Sequence, residues 1–147
     1  MKKIVLLLMM VVSLSAFAQN DHIMLSRIRP LIDVEINGRK AAMLIDTGSE
    51  LNLISKSMIG VIGADKHITQ KAAFGAGGQI TIWQLSKCSL TVKGLPVSNI
   101  LATDLDMTCE SIENTTGIRV IGILGAPAIK ELGMIIDLKR GIITIKN

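Results

Sequence analysis

Residues 42–55 hold two apolar runs separated by acidic and small polar residues, and no other stretch suits chemistry as well. Asp46 directly follows an apolar run, and a carboxylate in such a place is costly to bury unless it accepts hydrogen bonds or shares a proton. The next three residues are small, and two carry hydroxyl groups that can donate to a carboxylate: Thr47, Gly48 and Ser49. Two interpretations stay open on these residues alone. One is a catalytic carboxylate, and the other is a tight turn in which Asp46 caps backbone amides.

A second feature is the glycine-rich segment within residues 68–83, where apolar residues alternate on the outgoing arm and predict a β-hairpin. Glycines allow unusual backbone angles and leave amide groups free to bond an extended peptide. An ordinary glycine-rich loop is the alternative. A phosphate-binding loop is disfavoured, because neither Lys-Ser nor Lys-Thr follows the glycines. The residues at the predicted tip are Phe74, Gly75, Ala76, Gly77 and Gly78.

A third feature is the apolar run over 119–124, which predicts a buried strand ending at Gly125. A short helix is predicted over 127–132, with a proline in its first turn and a glycine just past its end. Two closing strands are predicted over 134–137 and 142–146.

The elements that must position these features are short. Alternation over 31–36, followed by Asn37-Gly38, predicts a hairpin whose second strand, over 39–45, delivers Asp46 to its end. Many short strands with turn residues between them predict an all-β barrel or sandwich with one or two short helices. The further predictions are strands over 51–55, 87–92 and 97–102, one or two helical turns within 56–63, and an irregular polar surface segment over 103–117.

These features, in this order, resemble the retropepsin-like family of single-lobed aspartic proteases (clan AA), in the form of a bacterial exported member. The resemblance covers about residues 28–147. It implies a single-lobed acid-protease barrel in which Asp46 is catalytic and residues 74–78 form a flap that closes over substrate. The supporting roles that it implies are a hydrogen bond across a dimer axis for Thr47, close packing for Gly48, a hydrogen bond to the outer carboxylate oxygen for Ser49, and a close backbone approach for Gly125.

The sequence contains one such aspartate, whereas aspartic-protease chemistry uses two carboxylates that share a proton. The ionised carboxylate takes a proton from water, and the protonated one polarises the scissile carbonyl. Asp137 is no candidate for the second, because it precedes a turn and lacks the Thr-Gly context. A two-fold homodimer in which each subunit contributes Asp46 is the economical arrangement.

We therefore expect an aspartic-type endopeptidase, a hydrolase that cleaves extended peptide or protein substrates through water activated by an Asp dyad. The alternative is a non-catalytic peptide-binding or assembly module on the same fold.

Residues 1–18 predict a secretory signal peptide, because two lysines precede a short apolar run and a small-x-small cleavage pattern. The apolar run is short for a membrane-spanning helix. We expect a mature protease domain over 19–147 that is periplasmic or secreted and has no stable membrane anchor.

Charge and aromatic content argue against a nucleic-acid partner. Loss of Lys2 and Lys3 with residues 1–18 would lower the formal charge from +4 to +2, and the remaining charges form no basic stripe. Phe74 and Trp83 would be the only aromatic side chains left for stacking on bases. Ligand spacing for zinc is absent from the sequence, so neither a metal nor another cofactor is expected.

Two interpretations stay open for the two cysteines: a disulfide bond between them, or two separate thiols. A bond between Cys88 and Cys109 would constrain the unfolded chain by roughly 3 kcal/mol. Against it, Cys88 alternates with Leu90 and Val92, which predicts an inward-facing strand residue that acts as a small hydrophobe.

Overall fold

The computed structural model describes the backbone of residues 22–24, 29–75 and 78–146, and the side chains of residues 29–67 and 78–146. The predicted signal peptide over 1–18 and the predicted flap residues Ala76 and Gly77 lie outside the described part. The strands are β1 (His22–Met24), β2 (Leu31–Ile36), β3 (Arg39–Asp46), β4 (Asn52–Ser55), β5 (Asp65–Gly75), β6 (Gly78–Ser86), β7 (Leu90–Val92), β8 (Leu95–Val97), β9 (Ile100–Thr103), β10 (Val120–Gly125), β11 (Met134–Asp137) and β12 (Ile142–Ile145). The helices are α1 (Ile59–Ile62), which follows a 3-10 turn at Lys56–Met58, α2 (Asp106–Thr116) and α3 (Ala126–Glu131).

Within the described residues, the strands form two sheets. The larger sheet has the order β5-β6-β9-β4-β10-β3-β2-β7-β8, and the smaller has the order β1-β12-β11. Strand β10 lies between β3 and β4, parallel to the first and antiparallel to the second. The segment that joins β3 to β4 must therefore cross the end of β10. This strand-dominated architecture confirms the predicted all-β class.

The β2–β3 hairpin forms as the sequence predicts. Its register runs from Leu31 opposite Leu44 to Ile36 opposite Arg39. Alternate β2 residues are buried while Asp33 and Glu35 are exposed, because successive side chains of a strand point to opposite faces. Asn37 and Gly38 have φ angles of 48° and 75°, the positive values that a two-residue hairpin turn of this kind requires.

The core is aliphatic and lies mainly on β2, β3, β4, β7 and β10. Burial of these side chains supplies the main driving force for folding, because aromatic residues are nearly absent from the sequence. Among its most deeply buried members are Ile32, Ile36, Met43, Ile54, Leu90, Val92, Leu124 and Ile143.

The prediction of an irregular surface segment over 103–117 is wrong, because α2 spans 11 of these residues. The helix buries Ile112 in a small second cluster with Leu31, Ala42 and Val120. It ends at Gly117, whose φ of 71° is the left-handed conformation that commonly closes a helix. One buried side chain and tertiary packing thus outweigh a polar sequence with modest helix propensity.

The predicted strand over 97–102 is also wrong, because the chain divides it into β8 and β9 at Ser98 and Asn99. Asn99 has a φ of 54°, which a strand cannot accommodate. Pro96 lies within β8, at the edge of the sheet, where a missing amide is tolerated. The strand predicted over 87–92 begins only at Leu90. The helices predicted within 56–63 and over 127–132 are confirmed in position by α1 and α3.

The two cysteines are free thiols. Cys88 precedes β7 rather than lying in it, and packs half-buried against the main core, whereas Cys109 lies on α2 against the second cluster. The predicted placement of Cys88 on a strand is therefore wrong, although its role as a small hydrophobe is retained. In the described part of the chain, no helix is long and apolar enough to cross a bilayer.

Candidate active site

Asp46 ends β3, and its position is set by β10. The parallel pairing places Gly125 opposite Asp46 and Leu124 opposite Ile45. Residues 47–51 then turn back into β4, which pairs with the other edge of β10. The carboxylate thus lies at the start of a loop whose flanking strands, β3 and β4, both pair with β10. A side chain placed in this way is held more rigidly than one on a free loop.

The Asp46 carboxylate is fixed from its own loop. The Gly48 amide donates to Asp46 Oδ1 at 2.9 Å, and the Ser49 amide donates to the Asp46 carbonyl oxygen at 3.1 Å. A Cβ atom at position 48 would lie 3.3 Å from Asp46 Oδ1, so a larger residue would crowd this contact. Asp46 is half-buried, and Thr47 and Gly48 are exposed. Among the described residues, none donates a hydrogen bond to the second carboxylate oxygen, Oδ2.

The predicted hydrogen bond from Ser49 to the Asp46 carboxylate is wrong, because in this structure the Ser49 hydroxyl bonds Leu51 instead. The Ser49 hydroxyl donates its single proton to the Leu51 carbonyl at 2.8 Å and accepts from the Leu51 amide at 3.3 Å. A serine hydroxyl readily makes such local bonds to a backbone two residues on. The Ser49 carbonyl accepts from the Ala126 amide at 2.9 Å, which ties the loop to the start of α3.

Gly125 is the position where the loop and β10 come closest. A Cβ atom there would lie 2.3 Å from the Leu51 carbonyl oxygen and 2.7 Å from that of Ser49, distances that real contacts do not reach. Its φ of −89° and ψ of −176° are ordinary extended values. Glycine is therefore required at this position by space and not by backbone conformation.

Asn52 is a residue of the site that sequence reasoning missed. Its side chain is 1% exposed. Asn52 Oδ1 accepts from the Gly125 amide at 3.0 Å, and Asn52 Nδ2 donates to the Ser98 carbonyl oxygen at 3.1 Å. An asparagine within a predicted strand, where this residue type is disfavoured, was the one available signal.

The Ser98 contact extends to the far end of α3. The Ser98 hydroxyl donates to Glu131 Oε1 at 2.6 Å, and the Ser98 amide donates to Oε2 at 3.0 Å. These two hydrogen bonds, first that of the hydroxyl and then that of the amide, lower the pKa of Glu131 below its ordinary value.

The predicted flap corresponds to the β5–β6 hairpin at one edge of the larger sheet. Its arms pair as far as Gly75 opposite Gly78, and Gly78 has a φ of 108°. Among the described residues, β6 pairs with β9 only at Trp83 and Gln84, and the Thr103 hydroxyl on β9 also donates to the Thr81 carbonyl at 2.8 Å. The side chain of Phe74 lies outside the described residues, and the flap role of residues 74–78 stays a prediction.

Asp137 is structural. Its Oδ1 accepts from the Arg140 amide at 2.9 Å and caps the turn between β11 and β12. Within the described residues, no group of three or more His, Cys, Asp and Glu side chains is arranged to hold a metal ion.

The fold is also found in solved structures, of which two illustrate the likeness. One is titled "EIAV protease complexed with the inhibitor HBY-793", with a TM-score of 0.55 and 21% identity over 74% of this chain and 92% of that chain. The other is a retropepsin-like aspartic protease from Rickettsia conorii, with a TM-score of 0.53 and 21% identity over 84% of this chain and 87% of that chain. The fold is thus that of the retropepsin-like aspartic proteases, as the sequence predicted.

Family membership comes from the sequence itself. The family described as "gag-polyprotein putative aspartyl protease" matches residues 32–131, which include both the Asp46 loop and Gly125. A comparison with curated proteins gave no match. The chain belongs to this aspartyl protease family and is an aspartic-type endopeptidase.

Proposed function

We propose that the protein is an exported endopeptidase whose active site forms between two copies of the chain, each of which supplies Asp46. The observation that carries this proposal is the placement of Asp46. Its Oδ1 is held by the Gly48 amide, while Oδ2 has no donor among the described residues. Two such carboxylates facing each other across a two-fold axis would share one proton, because like charges about 3 Å apart cannot both ionise. The dyad then activates a water that attacks the peptide carbonyl.

The loop geometry supports a role for the residues after Asp46. Thr47 is exposed at the tip of the loop, where its hydroxyl can bond a second copy. Gly48 holds the Asp46 carboxylate through its amide and, because it has no side chain, leaves room for a second copy of the chain to approach the loop. Ser49 supports the loop by bonding Leu51 and receiving the Ala126 amide. In this proposal Ser49 shapes the loop and does not touch the carboxylate.

Substrate would bind as an extended strand between the Asp46 pair and the two flaps. The hairpin arms support this role, because in the described residues they pair with each other as far as Gly75 opposite Gly78, beyond the pairing of Trp83 and Gln84 with β9. Flap amides could then hydrogen-bond a peptide in the manner of strand addition. Export to the periplasm or beyond is supported by the charge, apolar length and cleavage pattern of residues 1–18.

The test is cleavage of a mixed peptide library from about pH 4 to pH 7 by the wild type and by Asp46→Asn. Asparagine can still accept from the Gly48 amide, so the variant should fold while cleavage falls by on the order of 10³-fold or more. Asp33→Asn is the matched control, because Asp33 is an exposed carboxylate on the neighbouring strand β2. Cleavage that persists in Asp46→Asn refutes the mechanism. A wild type that binds peptides without cleaving them favours the binding module instead.

A further inference from the structure

Asn52 is buried beside Gly125, and its side chain makes no hydrogen bond to the Asp46 carboxylate. Its side chain is 1% exposed, and both of its polar atoms are used. The acceptor Oδ1 faces the Gly125 amide at 3.0 Å, and the donor Nδ2 faces the Ser98 carbonyl at 3.1 Å. The two partners are 73 and 46 residues away in the chain, so the contacts are purely tertiary.

The first contact acts on Asp46 through its strand partner. Gly125 is the residue opposite Asp46 in the β3–β10 pair. It also lies against the loop so closely that a single added carbon would overlap the Leu51 and Ser49 carbonyls. A hydrogen bond that holds the Gly125 amide in place therefore also fixes the distance between the Asp46 loop and the end of β10.

The second contact closes a ring of bonds around α3. The helix begins immediately after Gly125 and ends at Glu131. The Glu131 carboxylate accepts hydrogen bonds from the hydroxyl and the amide of Ser98. The Ser98 carbonyl in turn accepts a hydrogen bond from Asn52 Nδ2. The path thus runs from Gly125 along α3 to Glu131, across to Ser98, and back through Asn52. A closed path of this kind resists displacement of any one member more than a single contact would.

We propose that Asn52 is a positioning residue that sets the geometry of the Asp46 loop for catalysis through Gly125. This inference rests on the proposed peptidase function. It assigns to Asn52 an effect on the rate of the chemical step, with little effect on substrate binding, because the side chain does not reach substrate. A displacement of about 1 Å at a reacting group can cost on the order of 10²-fold in rate.

The chemistry of the position explains why asparagine is suited to it. The site needs one acceptor and one donor in a single planar group of this size. Leucine would leave the buried Gly125 amide without an acceptor. An ionised aspartate would accept from Gly125 but would face the Ser98 carbonyl with a second acceptor. A protonated aspartate, in contrast, can accept from one partner and donate to the other.

The experiment compares three variants in the full chain: Asn52→Leu, Asn52→Asp and, as the matched control, Asn37→Ala. Asn37 makes three side-chain hydrogen bonds, against two for Asn52: its Nδ2 donates to the Ile62 and Lys87 carbonyls, and its Oδ1 accepts from the Ser89 amide. It lies at the opposite end of β3 from Asp46, about 25 Å away along the strand. Steady-state kcat and KM are measured on one cleaved peptide, and urea unfolding is measured on the same samples.

We expect Asn52→Leu to lower kcat by about 10- to 100-fold with KM changed by less than about two-fold. Asn37→Ala should leave kcat within about two-fold of the wild type although it also destabilises the fold. Asn52→Asp is the decisive variant. Its kcat relative to the wild type should be highest in acid and fall as the pH rises through the carboxyl pKa, which burial moves above about 3.9.

The experiment separates failure of the proposed peptidase function from failure of the role given to Asn52. A wild type without Asp46-dependent cleavage refutes the function and the inference with it. If the wild type cleaves, the inference is refuted by an Asn52→Asp to wild-type kcat ratio that is constant with pH, or by kcat losses no larger than those of Asn37→Ala. A Leu variant that fails to fold leaves the Asp variant as the test, since aspartate keeps the shape of asparagine.

Discussion

Gly125→Ala tests the close approach on which the site geometry depends. The substitution adds one carbon at the point where β10 meets the Asp46 loop. That carbon would lie 2.3 Å from the Leu51 carbonyl oxygen and 2.7 Å from that of Ser49. The backbone angles at Gly125 suit alanine, so the whole effect comes from contact and none from backbone strain.

The magnitude follows from these distances. A relaxed carbon–oxygen contact is about 3.3 Å or longer, so β10 and the loop must separate by about 1 Å. Overpacking of this kind costs about 1–3 kcal/mol. The Gly125 and Ala126 amides both bond across the same junction, and each weakened bond adds about 0.5–1.5 kcal/mol. We expect the free energy of unfolding to fall by about 2–6 kcal/mol and kcat by on the order of 10²-fold.

The assay pairs urea unfolding with peptide cleavage, and Gly60→Ala is the matched control. An added Cβ at Gly60, within α1, meets no atom within 4 Å. That variant should be neutral or more stable by about 0.5–1 kcal/mol, since alanine favours a helix. If Gly125→Ala unfolds at the same urea concentration as Gly60→Ala and cleaves as fast as the wild type, the backbones are not in close approach and the reasoning is wrong.

Two further predictions concern titrating groups. The two Ser98 hydrogen bonds lower the pKa of Glu131 in the folded state from 4.5, so its stabilising contribution is present above pH 4.5 and is lost as the pH falls through the lowered value. Glu131→Gln should therefore be less stable than the wild type near neutral pH, with the difference shrinking in acid, and a pH-independent difference in urea titrations would contradict this. Burial raises the pKa of Cys88, and burial together with Asp106 raises that of Cys109 to about 11. Iodoacetamide at about pH 8 should label both thiols slowly in the folded protein and completely in urea without reductant; a protein whose thiols stay unlabelled in urea would contain the disulfide instead.

The sequence predicts best the parts of the fold that local chemistry determines. The β2–β3 hairpin follows from strict alternation and an Asn-Gly turn, and that hairpin alone carries Asp46 to the end of a strand. The strand ending at Gly125 follows equally from an apolar run that stops at a glycine. Both signals lie within a few neighbouring residues.

The elements that the sequence did not predict depend on distant contacts. Helix α2 has one buried residue, Ile112, and a polar composition, so its periodicity is weak; Gly117 at its end was the clearest signal. The break at Ser98 and Asn99 is a turn dipeptide inside an apolar run, where the β propensity of the flanking residues dominated the prediction. Asn52 acquires its role only from partners far along the chain, which no local pattern encodes.

The shared dyad is tested most directly by mixing wild-type chains with inactive Asp46→Asn chains at constant total concentration and measuring cleavage after exchange of subunits. If each active site needs one Asp46 from each of two chains, activity should fall as the square of the wild-type fraction, to about one quarter at an equal mixture. Activity of about one half at that mixture would mean that each chain works alone, and the account of the active site given above would be contradicted.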